Sequence, residues 1–147
     1  PGMLLLLGGA TLGAMALAGV QVGRATLDVH TLLVASLLII IGAQGIYLSI
    51  FAHTFAVAEG LQPASALIAR FYRVFNLEKA LVIAAVTGGL GGVLIAKVWW
   101  EWRGADYGPL AYTQSLRWVI PGVTLVALSA QAMFSSFMVS LLGLERK

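Results

Sequence analysis

Residues 32–58, LLVASLLIIIGAQGIYLSIFAHTFAVA, decide how this chain is read. They form an apolar run of about 27 residues with no charge beyond one histidine, His53, whereas about 20 residues suffice to cross a bilayer as a helix. The run is continuous rather than alternating. Leu37, Leu38, Ile39, Ile40 and Ile41 follow one another directly, as Leu4 to Leu7 do earlier in the chain. A transmembrane barrel strand would alternate apolar and polar positions over about ten residues, so helices are expected. Three further stretches without Asp, Glu, Lys or Arg lie at 1–23, 80–96 and 118–144. With 60% apolar and 10% charged residues, the chain is far from an ordinary globular domain, in which about a quarter of residues are charged.

The expected fold is all-α and integral to the membrane. It has four transmembrane helices over about 1–22, 32–58, 79–99 and 118–144, forming a single domain over 1–147. The third run is short, and it extends through Val98, Trp99 and Trp100 if Lys97 snorkels toward the headgroups. Trp99, Trp100, Trp102 and Tyr107 mark a membrane boundary, because indole and phenol rings favour the headgroup layer. Pro63 suits the first turn of a further helix over about 63–78. There Leu67, Phe71, Val74 and Phe75 share one face opposite Arg70, Arg73 and Asn76, the pattern of a helix lying in the interface plane.

With four spans both termini fall on one side. That side carries Arg70, Arg73, Lys79, Arg146 and Lys147, against Arg24, Lys97, Arg103 and Arg117 on the other, a slim bias toward cytoplasmic termini. The chain opens at Pro1 without a basic leader region, and a fragment of a longer protein is expected. The chain has no cysteine, which excludes disulfides and thiolate metal sites. The net charge of +3 is modest and points to lipid headgroups rather than nucleic acid.

Catalytic chemistry is not visible. Asp28, Glu59, Glu78, Glu101, Asp106 and Glu145 all fall at span boundaries or in loops, which counts against an ion-coupled or multidrug transporter needing an intramembrane carboxylate. Asp28 and His30 are too few for a metal site and suit a loop or cap. His53 is the one ionisable residue inside a span, read either as a phosphate or helix contact or as an interfacial histidine bonded to backbone. Gln44 and Gln131 lie near mid-membrane and are expected to face other helices, since an amide in hydrocarbon needs a partner. Ser135, Ser136 and Ser140 can bond back to their own helix. Gly9 with Gly13, and Gly88 with Gly92, have the spacing of close helix packing, within the chain or between copies in a homo-oligomer. No Lys-Ser/Thr follows them, so they do not read as a phosphate loop.

Several stretches together resemble the carboxy-terminal membrane region of bacterial family 2 glycosyltransferases of the polyprenyl-phosphate, dolichol-phosphate-mannose-synthase-like group. They are Asp28-Val29-His30-Thr31-Leu32-Leu33, Ile50-Phe51-Ala52-His53-Thr54-Phe55-Ala56, Phe75-Asn76-Leu77-Glu78-Lys79, and Phe134-Ser135-Ser136-Phe137 with Leu141-Leu142-Gly143-Leu144. The resemblance implies an inner-membrane protein with a cytosolic catalytic domain before the first span. That domain would move a sugar from a nucleotide donor to a lipid phosphate, with a divalent metal held by an Asp-x-Asp-like motif. No Asp-x-Asp occurs in this sequence. This stretch would therefore anchor the enzyme, pack into oligomers and present the lipid phosphate, with Arg70, Arg73 and His53 as its expected contacts. The other reading is a stand-alone small membrane protein, either a lipid-linked-sugar flippase or an accessory subunit of a membrane complex.

Overall fold

Gly19 ends the first helix. In the computed structural model, which describes residues 1–22, 25–61 and 77–144, α1 covers Gly2–Leu17 and Gly19 follows at φ 67°. The left-handed conformation suits a residue without Cβ. It lets the Val20 N–H reach the Met15 carbonyl at 3.1 Å and the Gly19 N–H reach Ala16 at 3.2 Å, which satisfies two carbonyls at the helix end. The chain then forms a short antiparallel ladder, β1 (Gln21–Val22) against β2 (Ala25–Thr26). The first helix was expected to run to about residue 22. Instead α1 has 16 residues, about 24 Å at 1.5 Å each and short of a hydrocarbon core of about 30 Å.

Among the described residues, three helices are long and apolar enough to cross a membrane. They belong to α2 (Val29–Ala58), α3 (Leu77–Gly104) and α4 (Tyr112–Leu144). Helix α2 closes as α1 does, with Gly60 at φ 72° and the Leu61 N–H on the Ala56 carbonyl at 2.9 Å. The tryptophan run expected beyond the third span lies on α3 itself, which continues to Gly104, and the loop before α4 shortens to 105–111. Pro121 lies inside α4. The expected interfacial helix over 63–78 falls almost wholly outside the described residues; Leu77 and Glu78 already belong to α3.

Backbone packing sets the arrangement. A Cβ on Gly9 would stand 2.8 Å from the Ala35 carbonyl oxygen, and one on Gly42 would stand 2.8 Å from that of Gly2, so α1 and α2 meet antiparallel at backbone distance. Helices α3 and α4 are also antiparallel. The Ser129 hydroxyl donates to the Ala84 carbonyl at 2.6 Å, and Gly91 faces Gly122 about two turns away. Helix α2 meets α4 in parallel, where Ser36 and Thr124 stand 2.6 Å apart. Thr124 gives its single proton to the Ile120 carbonyl at 2.7 Å, so the Ser36 hydroxyl is the donor between helices.

The interior is built of small residues, Ala16, Ala35, Ala43 and Ala84 among them, while Leu33, Leu37, Leu48, Val82, Val93 and Phe134 point outward. This inverts the soluble pattern and suits a solvent as apolar as leucine. These directions place the α1–α2 and α3–α4 turns at one end of the molecule, the turn end. Glu59 and Glu78 lie at the other.

Candidate functional site

At the end opposite the turns, one expected contact can be placed. His53 is partly buried on α2, about a turn and a half before Glu59. Its Nε2 is buried with no hydrogen-bond partner, whereas the neighbouring Thr54 hydroxyl bonds back to the Ile50 carbonyl at 2.7 Å. A buried ring nitrogen without a partner costs free energy, so this atom is ready for a donor or acceptor that the described residues do not supply. Arg70 and Arg73 lie outside the described residues.

Of the residues expected to pack helices, Gly9 and Gly13 are buried on the face of α1 that meets α2. Gly88 lies against Ser129, where a Cβ would stand 2.6 Å from the hydroxyl oxygen. Gly92 does not belong to that seam, since a Cβ there would meet nothing within 4 Å. The seam follows Ala84, Gly88 and Gly91, and the next position is turned about 100° away. Gln44 likewise lies off the seams within the chain. It is exposed, because Ala35 and Gly42 set the contact face of α2 and two further residues rotate the side chain by about 200°. Gln131 is partly buried, but its Oε1 has no partner. Ser136 bonds back to the Ala132 carbonyl at 2.7 Å, within its own helix. Asp28 stands at the N-cap of α2 without a side-chain capping bond.

Sequence reasoning missed the residues that hold the seams: Ser36, Gly42, Gly91, Gly122, Thr124 and Ser129. Their signal was present as small residues recurring three or four positions apart, but glycine and serine are frequent throughout these helices.

The turn end gathers aromatic and basic side chains. Lys97 lies 3.5 Å from the centroid of the Trp118 ring and 4.0 Å from Glu101. The Arg103 guanidinium stands 5.9 Å from the centroids of both Trp99 and Trp100, within cation–π range. Trp102 meets Tyr107 edge to face at 4.8 Å. That contact, with the Tyr107 N–H on the Trp102 carbonyl at 3.0 Å, holds Asp106 and Tyr107 at φ 49° and 59°, a conformation costly for side-chain-bearing residues.

Among the described residues no three of His, Asp and Glu come together as metal ligands. No chemical step is routed through the divalent metal that the resemblance implies.

No curated protein and no solved structure matches the chain. A family profile does match, over residues 50–143, more than half of the sequence. It spans the end of α2 with His53, both Trp-bearing helices and the turn between them. This membrane protein therefore belongs to the family described as the glycosyltransferase family 2 C-terminal transmembrane region.

Proposed function

We propose that this chain is the membrane domain of an inner-membrane glycosyltransferase that transfers a sugar from a nucleotide donor to a polyprenyl phosphate. Catalysis belongs to a nucleotide-sugar domain outside these residues, and the chain's share is to anchor that domain and hold the lipid phosphate beside it. The family match carries the reading. Two physical points support the lipid role. The buried, unpartnered Nε2 of His53 lies near the end of α2 that leads into residues 59–79. Arg70 and Arg73 follow in that connection, and guanidinium forks suit phosphate oxygens. In this proposal that end faces the cytoplasm with both termini, where the donor is found.

Polyprenyl-phosphate binding in nanodiscs of neutral lipid tests the reading. Arg70→Lys with Arg73→Lys keeps the charge but removes the fork, and His53→Ala removes the ring. Weaker binding in both is expected. Unchanged affinity in both would leave the arginines as membrane anchors and His53 as an interfacial residue.

A further inference from the structure

The turn end carries a feature that anchoring does not use. Helices α3 and α4 part beneath the 105–111 turn to leave a cleft of about 420 Å³, lined chiefly by Ile95, Val98, Trp99, Trp102, Leu116 and Val119. Its walls are apolar, so water has few partners there, and it lies at the depth of the aromatic residues that mark the headgroup layer. Trp99 forms part of the wall and Arg103 stands over that same ring. Arg103 is one helical turn beyond Trp99 and two beyond Ile95, so its backbone lies about 12 Å along α3 from the deepest wall residue, toward the water side.

Arg103 also differs from the other described cations of this end. Lys97 has Glu101 at 4.0 Å, and the Arg117 guanidinium reaches toward Gly19, away from the cleft. Arg103 has no ion pair among the described residues. Glu101, its nearest acid along the chain, pairs with Lys97, and Asp106, three residues on, is exposed and closes the helix through a backbone N–H to the Arg103 carbonyl. The guanidinium lies 5.9 Å from both indole centroids, and its planar fork of N–H donors suits a phosphate.

We propose that the cleft is a lipid site, holding one acyl chain of an anionic bilayer phospholipid whose phosphate bonds to Arg103. The site lies at the opposite end of the molecule from His53, and it stands whether or not polyprenyl phosphate is the acceptor. The lipid would fill the gap under the 105–111 turn and brace α3 against α4.

The chain carries its own reporter, because all four tryptophans, Trp99, Trp100, Trp102 and Trp118, lie at this end. The protein is placed in phosphatidylcholine vesicles containing a minority of lipid brominated on its acyl chains, either phosphatidylglycerol or phosphatidylcholine. Brominated phosphatidylglycerol should quench tryptophan emission more strongly. The preference should be about fivefold, the equivalent of roughly 1 kcal/mol for one basic residue at a membrane surface. Arg103→Gln should abolish that preference, Arg117→Gln should leave it, and Val119→Phe, which fills the cleft, should lower quenching by both lipids. Equal quenching by the two lipids in the unaltered protein overturns the site. So does an equal loss with Arg117→Gln, which would mean diffuse surface attraction, or a preference that survives Arg103→Gln.

Discussion

Replacing Gly91 by alanine should loosen α3 from α4, while the same change at Gly92 should not. A Cβ at Gly91 would stand 2.6 Å from the Gly122 carbonyl oxygen, 2.9 Å from the Val126 side chain and 3.0 Å from Leu125 Cβ. Val126 can turn aside. The Gly122 carbonyl is backbone inside α4, so the helices must separate or shift to admit the methyl. At Gly92 the added Cβ meets nothing within 4 Å. Overfilling a packed contact costs about 1–3 kcal/mol. Alanine in place of glycine returns about 1 kcal/mol of helix propensity, but both variants gain it. Their difference therefore isolates the clash, about 1–3 kcal/mol or roughly 5- to 150-fold in the unfolding equilibrium. Titration of both variants with sodium dodecyl sulfate in mixed micelles measures it. Every tryptophan lies on α3 or α4, so their emission reports this pair of helices. Coincident transitions, or a larger loss at Gly92, would refute the seam described here.

Ser129→Ala removes the hydroxyl that bonds Ala84 across the same seam. It should cost about 0.6 kcal/mol and at most about 1.7, the range for hydrogen bonds between membrane helices, by the same titration. Gln131→Leu should be stabilising by about 1 kcal/mol, because the buried Oε1 has no partner whose loss would count. A measured destabilisation would show that this amide is bonded in the assembled protein. Cysteine placed at Ala111, exposed in the α3–α4 turn, should be labelled by impermeant maleimide from outside the cell. Cysteine at Glu59, at the opposite end of α2, should be labelled only after the cytoplasmic face is opened. The reverse pattern would invert the proposed orientation and leave the fold intact.

Hydropathy alone located all four helices among the described residues, and the tryptophan run pointed to the end where aromatic and basic side chains gather. These features are local. A long apolar run must satisfy its backbone within itself in hydrocarbon, and a helix does so wherever it lies. His53 was equally legible, as an ionisable side chain inside the apolar run 32–58, whereas nothing in its neighbours along the chain showed that Nε2 would be buried without a partner.

The direction each helix faces was decided only by the tertiary structure. In a soluble protein an apolar stripe tells which side is buried. Here lipid and interior are almost equally apolar, so Gln44 could be expected inward and lie outward, and Gly92 could share a motif spacing with Gly88 while Gly91 made the contact. Nor did composition end the first helix before Gly19, because Val20 and Val22 remain apolar and only the left-handed glycine and the paired strands stop the helix there. The apolar segments followed from the composition of the chain itself; the end of the first helix, rotation, partner and cleft followed from which backbones could approach each other.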